Sequence, residues 1–184
     1  MSQAERDLDV SLTRRAQSGS EVAFTALARR WHRRLEAHAW RLLGDREAAR
    51  DAAQMAWLEI ARGLKGLRDP AAFPAWAFRI TTRQAAAIIR RRQDERRLSE
   101  DLHQAAMTAP QSTAQPEPGA DAALYAAIRA LPPDQRAAIA LHHFEGLSVA
   151  EAAVALDAPV GTIKTRLMHA RLKLKAALEG ETHD

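Results

Sequence analysis

The feature that most constrains the fold of this chain is the frequency of its helix start and stop signals. Alternation of β-branched and polar residues never lasts long enough to predict a strand. Ser18 and Glu21 have the spacing of a capping box, and Gly44 is placed to end the helix that follows. Asp45 is a candidate N-cap for a second helix, which we expect to close at Gly63. The pattern predicts an all-α protein.

The composition changes sharply in the middle of the chain. A third helix is predicted from Phe73 to about Arg97, and prolines, a glycine and small polar residues then dominate residues 99–121. Helix signals resume after this stretch. We therefore expect two small helical domains, residues 1–98 and 122–184, joined by a flexible linker. At roughly 3.3 Å per extended residue, the linker could separate the domains by tens of ångströms.

Charge and composition restrict the class of protein. The net charge is only +4 while the sequence pI is about 10.1, and the arginines are clustered. Such clusters are typical of proteins that bind a polyanion, although arginine runs are also common on solvated helix faces. There are no cysteines, no apolar run of the roughly 20 residues that a membrane span needs, and no signal-peptide core. We expect a cytoplasmic protein without direct membrane insertion.

The last two predicted helices have the layout of a helix-turn-helix. Ser148 and Glu151 form a second capping-box pair, which opens a short helix ending near Leu156. The residues Asp-Ala-Pro interrupt the helical pattern, and a longer helix follows from about Val160 to Leu178. Two helices joined by such a short turn are typical of a DNA-binding unit whose second helix enters the major groove.

The second of these helices has a basic circumference around one apolar stripe. The stripe is predicted to be buried and comprises Ile163, Leu167, Ala170, Leu174 and Leu178. A short hydroxyl at the centre of the opposite face would let bases approach while long cations on either flank reach phosphates. The candidate DNA contacts are Thr162, Lys164, Thr165, Arg166, Met168, His169, Arg171 and Lys173.

Two further helix faces stand out in the first domain. On the second helix, Glu47, Asp51, Gln54 and Leu58 share one stripe, which fits either a solvated face or a polar-rimmed partner site. The opposite side is predicted to consist of Ala48, Ala52, Met55, Ala56 and Ile60. On the third helix, one narrow arc carries Trp76, Arg79, Arg83 and Arg90. That arc suits single-stranded DNA, although a tryptophan placed like Trp76, beside Phe73 and Ile80, is more often a core residue. Trp31, Trp40 and Trp57 are predicted to pack in the core.

The segment "LPPDQRAAIALHHFEGLSVAEAAVALDAPVGTIKTRLMHARLKLKAAL" closely resembles the C-terminal promoter-reading domain of extracytoplasmic-function (ECF) sigma factors, members of the sigma-70 family. Two blocks of the first half, "AFTALARRWHRRLEAHAWRLLGDREAARDAAQMAWLEIARGL" and "FPAWAFRITTRQAAAIIRRR", resemble the N-terminal domain of the same family. The resemblance implies that the helix from Asp45 to Gly63 docks on core RNA polymerase, that the next helix opens and holds the −10 element, and that the C-terminal helix recognises the −35 element.

The resemblance also implies partners and shows two departures. Promoter DNA, core RNA polymerase and an anti-sigma factor are the implied partners, and no cofactor is implied. Where the family commonly has an acid in the polymerase-docking helix, this chain has Met55. Where the −10 helix often shows Asn and then Asp, this chain has Arg83 and Ala87.

Two other functions are compatible with parts of the sequence, a stand-alone regulator and an enzyme. A stand-alone helix-turn-helix regulator would need a dimerisation or ligand-sensing module, and the first domain shows no heptad seam. An enzyme is disfavoured because the sequence lacks a P-loop and the G-x-S-x-G and H-E-x-x-H motifs. His142 and His143 diverge by about 100° on a helix, which is poor geometry for one metal ion. We therefore expect neither catalytic residues nor a metal site.

Overall fold

The structure, a computed structural model, describes residues 2–102 and 120–180, with side chains for 2–98 and 123–179. Every regular element in these ranges is helical, which confirms the predicted all-α class. The elements are α1 (Gln3–Gln17), α2 (Glu21–Leu43), α3 (Arg46–Gly63), two 3₁₀ turns (Leu64–Gly66 and Pro70–Ala72), α4 (Phe73–Leu102), α5 (Ala120–Ala130), α6 (Pro133–Ile139), a π-helical turn (Ala140–Phe144), α7 (Val149–Ala155) and α8 (Val160–Gly180). The predicted linker falls mostly on residues 103–119, outside the described residues.

The local signals explain where most helices begin and end. Gly44 ends α2 in the left-handed conformation, at φ 69°, where a side chain would be strained. The Asp45 carboxylate then accepts hydrogen bonds from the N–H groups of Glu47 and Ala48, at 2.9 and 3.2 Å, and so opens α3. Ser148 opens α7 with both bonds of a capping box. These predicted boundaries are confirmed.

The prediction for Ser18 is wrong. Ser18 ends a first helix, α1, that the sequence analysis did not predict, and its N–H bonds back to carbonyl oxygens of that helix. Gly19 turns the chain at φ 98°, and Ser20 is the residue that caps α2, through a 3.2 Å bond from the Ala23 N–H to its hydroxyl. A helix that ends just before another begins places two serines near one junction, and spacing alone selected the wrong one.

The helices α1 to α4 form a first module and α5 to α8 a second. The core of the first module lies between α2, α3 and α4. Trp31 is fully buried, and its ring meets those of Phe73 and Phe78 edge to face, with centroids 5.7 and 5.8 Å apart. The helix α1 is fastened to this core through a buried carboxylate, Asp9. Its Oδ1 accepts hydrogen bonds from Arg30 Nε at 2.6 Å and from the Trp31 indole N–H at 3.1 Å. The prediction that Trp31 packs in the core is confirmed.

The two modules are in contact with each other. The helix α7 packs against α4, and α6 packs against α2. Leu42 and Ala85 of the first module share a buried cluster with Ala137 of the second. Trp40, predicted as an ordinary core residue, is half-buried and faces Tyr125 of α5, with ring centroids 5.6 Å apart. The linker length permitted wide separation of the modules, but complementary helix faces bring them together in this conformation.

Candidate nucleic-acid and protein interfaces

The helices α7 and α8 form the predicted helix-turn-helix. Between them Asp157 takes the left-handed conformation at φ 50°, which lets the chain reverse in the few residues between Ala155 and Val160. The predicted stripe of α8 faces inward over its first three turns, where Ile163 and Ala170 are fully buried and Leu167 nearly so. Leu174 and Leu178, predicted to be buried with them, are only half-buried. Burial of this stripe turns the basic circumference of α8 toward solvent.

Most of the predicted DNA contacts of α8 are exposed. Thr162 and Arg166 are half-buried, and the exposed residues are Lys164, Thr165, Met168, His169, Arg171 and Lys173. Arg166 is held by Asp134 of α6, with nitrogen and oxygen 2.6 Å apart. The Thr165 hydroxyl donates to the Gly161 carbonyl at 3.1 Å, which leaves its oxygen available as an acceptor. The predicted set therefore lies along the solvent-facing side of α8, with the half-buried Thr162 and Arg166 at one edge of it.

Sequence analysis missed one member of this surface. Leu172 is 60% exposed, although it is a large aliphatic residue in the middle of α8. It lies one turn beyond Met168, which is 51% exposed, and both lie close to the line of Thr165. The spacing of Met168 and Leu172, outside the buried stripe, was the signal that could have identified it.

His143 contributes a neutral group beside the basic helix. Its pKa is lowered by burial, and further by the neighbouring His142 and by Arg171. The neutral ring can accept a hydrogen bond, and Arg171 Nη2 lies 3.4 Å from His143 Nε2. One flanking cation of α8 thus has a weak positioning contact to the π-helical turn.

The face of α3 carries the predicted acidic and polar stripe. Glu47, Asp51, Gln54 and Leu58 are all exposed, and 51% of Leu58 is accessible. The prediction that Met55 belongs to the buried side is wrong, because Met55 is 50% exposed. At about 100° per residue, Met55 lies on the shoulder next to Gln54 rather than opposite it. Met55 and Leu58 together form an apolar centre within a polar surround.

The arc of α4 is only partly free. Trp76 is half-buried, packs at 6.3 Å from the Phe73 ring, and lies so near Gly63 that a Cβ there would come within 3.1 Å of its indole. Arg79, Arg83 and Arg90 are exposed on the same side of the helix. Trp76 is therefore a half-buried packing residue, whereas the arginines form the basic part of the arc.

Two of these arginines have carboxylate partners. Arg79 pairs with Asp157 in the turn of the helix-turn-helix, at 3.0 Å. Arg83 pairs with Glu59 of α3, and the second oxygen of Glu59 accepts a hydrogen bond from Gln84 at 3.0 Å. Sequence reasoning missed both acids because each lies far from its arginine along the chain.

The described part of the chain offers neither a membrane span nor a metal site. Within residues 2–102 and 120–180, no helix is long and apolar enough to cross a membrane. Across the same ranges, no group of three or more His, Asp or Glu side chains is arranged to hold a metal ion.

Comparisons with known proteins agree with this arrangement. A family model described as Sigma-70 region 2 matches residues 27–95, and one described as Sigma-70, region 4 matches residues 121–174. The RNA polymerase sigma-H factor of Pseudomonas aeruginosa is 30% identical over 184 residues, covering 95% of each chain. The ECF RNA polymerase sigma factor SigM of Mycobacterium tuberculosis is 33% identical and covers 92% of this chain and 84% of its own.

A solved structure is similar across both modules. The sigma factor RpoE of Bartonella quintana, in complex with the anti-sigma factor NepR, matches with a TM-score of 0.70 and 25% identity, over 85% of this chain and 96% of its own. Two region models in the expected order, relatives aligned nearly end to end and a helix-turn-helix with an exposed basic face lead to one conclusion. The chain belongs to the ECF sigma factors of the sigma-70 family, non-enzymatic subunits that direct RNA polymerase to promoters and initiate transcription.

Proposed function

We propose that this sigma factor distributes its work over three faces: α3 for core RNA polymerase, the α4 arc for the −10 element and α8 for the −35 element. The N-terminal domain, residues 1–98, would carry the first two faces and the C-terminal domain, 122–184, the third, with 99–121 as the linker. One observation carries the proposal: the α8 residues selected for DNA contact lie on the solvent side of a buried stripe in a capped helix-turn-helix.

The α8 face combines an apolar centre with basic flanks. Thr165, Met168 and Leu172 form the centre, where a hydroxyl can bond base edges and aliphatic groups can pack on a thymine methyl. Lys164 and Lys173 stand on opposite flanks, from which long cations reach the phosphates of either strand. We expect base preference to reside in the centre and salt-dependent affinity to reside in the flanks.

The α3 face suits a protein partner. An apolar centre of Met55 and Leu58 surrounded by Asp51 and Gln54 resembles the anatomy of protein interfaces, where aliphatic anchors lie inside a polar rim. The resemblance of α3 to the polymerase-docking helix of the family supports core RNA polymerase as that partner. In this chain the usual acid is replaced by Met55, so apolar contact takes a larger share.

The α4 arc suits the phosphates of an opened strand. Arg79, Arg83 and Arg90 form a track along the helix, and guanidinium groups pair with phosphate through two N–H donors. Arg83 already has the Glu59 carboxylate as a partner, so a phosphate would compete with that pair. We expect Arg83 to hold phosphate rather than read a base.

Regulation and location follow from the relatives. The Bartonella RpoE was captured with an anti-sigma factor, and this chain has a similar fold over both modules. We expect an anti-sigma factor to bind this chain and hold it away from polymerase. We also expect the protein to act in the cytoplasm, where RNA polymerase and promoter DNA are found.

The polymerase face is tested by binding of the full chain to core RNA polymerase. Asp51→Lys and Leu58→Glu should each weaken binding at least tenfold while helix content stays constant, because both alter the centre of the face. Leu8→Glu is the matched control, since Leu8 is a leucine of similar exposure, 47%, on α1. Equal affinities for all four proteins would remove α3 as the polymerase interface.

The DNA faces are tested by transcription from a promoter library with reconstituted holoenzyme. Thr165→Ala, at the centre of the α8 face, and His169→Ala, one helical turn beyond Thr165, should change which −35 sequences are used. Arg83→Asn should weaken promoter opening by a similar factor at all −10 sequences, with partial rescue at low salt. A reordering of −10 preferences by about 1–3 kcal/mol would instead assign base reading to Arg83. Wild-type opening by Arg83→Asn at every promoter and salt would exclude both roles.

A further inference from the structure

The contact between the two modules has a charged centre. Glu145, which follows the π-helical turn, is only 7% exposed and lies against α2 of the first module. Its Oε1 accepts a hydrogen bond from Arg41 Nη1 at 2.7 Å, and its Oε2 accepts one from Arg34 Nε at 3.2 Å. Arg34 Nη2 also donates to the Glu145 backbone carbonyl at 2.9 Å. One carboxylate of the second module thus binds two arginines of the first.

The arginines are themselves held in place. The Arg34 guanidinium lies 4.3 Å from the centre of the Trp31 ring, and Arg41 lies 4.5 Å from the centre of the Phe144 ring. A third arginine bridges the modules in the reverse direction, since Arg136 of α6 donates to the Leu42 carbonyl at 2.9 Å. A buried ion pair adds little net stability, but it becomes unfavourable when one partner is removed and it fixes one docking geometry. Loss of either partner would therefore disfavour this docking of the two modules.

The same contact covers part of the proposed −10 arc. Asp157, in the turn between α7 and α8, pairs with Arg79 of α4 at 3.0 Å. A carboxylate on a guanidinium occupies the position that a DNA phosphate would take. This pair is exposed, so it is weak by itself, and it exists only while α7 rests on α4.

The spacing of promoter elements is incompatible with this contact. Elements centred near positions −35 and −10 lie about 25 base pairs apart, which is roughly 85 Å along B-form DNA at about 3.4 Å per base pair. Modules that touch through α4 and α7 cannot lie on both elements at once. The 103–119 segment that joins them has a maximum reach on the order of 60 Å, which permits the modules to part.

We propose that the free chain rests in this closed conformer, that the pairing of Glu145 with Arg34 and Arg41 holds it closed, and that closure masks Arg79 until the modules separate on polymerase and promoter. The part that concerns Arg79 rests on the function proposed above for α4. The fastening itself does not, because it follows from the contacts between the modules.

The chain carries a natural reporter of closure. Tyr125 is the only tyrosine, and all four tryptophans lie in the first module. In the closed conformer Tyr125 is 5.6 Å from Trp40, so its excitation energy passes to tryptophan and tyrosine emission is quenched. Opening should restore tyrosine emission in the full chain without any label.

The first measurement is energy transfer in the free full-length chain. We expect efficient transfer in the wild type, and roughly a tenfold or larger shift toward the open conformer in Glu145→Gln, since a buried ion pair loses one partner. Glu36→Gln is the matched control. It also removes one carboxylate charge, but Glu36 pairs with His32 on the same helix, so no contact between the modules is lost. If Glu145→Gln loses helix content, Arg41→Gln tests the fastening from the other side. Poor transfer in the wild type, or transfer unchanged in both Glu145→Gln and Arg41→Gln, overturns the closed conformer.

The second measurement is binding of a labelled single-stranded DNA of mixed sequence. Asp157→Asn should bind about two- to fivefold more tightly than the wild type, the range that release of one exposed ion pair allows. Arg79→Ala should bind more weakly and should abolish the gain from Asp157→Asn. If Arg79→Ala binds like the wild type, the −10 role of Arg79 is wrong, while the transfer measurement still decides the fastening. If Asp157→Asn gains equally with and without Arg79, the masking is refuted.

Discussion

His38 provides a quantitative prediction about pH and stability. It is fully buried in α2, its Nε2 lies 2.8 Å from the Thr82 hydroxyl, and its ring packs edge to face on Phe78. Its Nδ1 is buried without a hydrogen-bond partner. Burial, and then the positive charge of Arg41, lower the His38 pKa from 6.5 to about 3. The folded protein therefore keeps this ring neutral, and unfolding releases it to take up a proton.

The size and sign of the effect follow from this difference. Below pH 6.5 the unfolded chain binds a proton at His38 that the folded chain refuses, so acid favours unfolding. The stability that the neutral ring contributes is complete above that pH and is lost as the pH falls toward about 3. At about 1.4 kcal/mol per pH unit, the free energy of unfolding should fall by about 2 kcal/mol between about pH 7.5 and about pH 5.

The assay is urea unfolding of the full chain, followed by tryptophan fluorescence. Because all four tryptophans lie in the first module, the signal reports the module that contains His38. His38→Gln should lower stability at neutral pH and remove most of the decline toward about pH 5. His32→Gln removes a half-buried histidine, paired with Glu36, from the same helix and should retain the wild-type decline. Parallel pH profiles for the wild type and His38→Gln would refute the assignment of a buried neutral ring.

Three further outcomes are expected. Gly44→Ala should lower the free energy of unfolding by about 1–2 kcal/mol, because Gly44 has φ 69° and a Cβ would meet the Arg129 guanidinium at 3.1 Å; an unchanged urea midpoint would contradict this. Asp45→Ala should lower the free energy of unfolding by about 1 kcal/mol at neutral pH, because α3 loses its cap. Hydrogen bonds from Arg92 and from the N-terminus of α3 lower the Asp45 pKa, so the difference in stability between variant and wild type should disappear in strong acid. Lys173→Ala should weaken −35 duplex binding evenly across sequences and reduce the salt slope by roughly one, and a sequence-dependent loss would show instead that it contacts a base.

The sequence determined the features that depend on neighbouring residues. The Asp45 cap, the Gly44 ending and the Ser148–Glu151 capping box are interactions within one helical turn, so spacing alone located them. The exposed faces of α3 and α8 followed for the same reason, since a helix with one buried stripe must turn its other side to solvent. The resemblance to ECF sigma factors then indicated which partners those faces would bind. The position of Met55 was predicted wrongly because this residue lies at the edge between the buried and exposed sides of α3.

Tertiary structure alone decided the pairings between distant residues. Asp9 with Arg30, Glu59 with Arg83, Asp157 with Arg79 and Glu145 with Arg34 join positions far apart in the chain, and no periodicity encodes them. An acid on a helix surface looks the same in sequence whether it faces water or a guanidinium. Which of these it meets depends on how helices pack, and that is set by the summed fit of many apolar side chains. The contact between the two modules belongs to this second class, because the linker restricts their distance without choosing their faces.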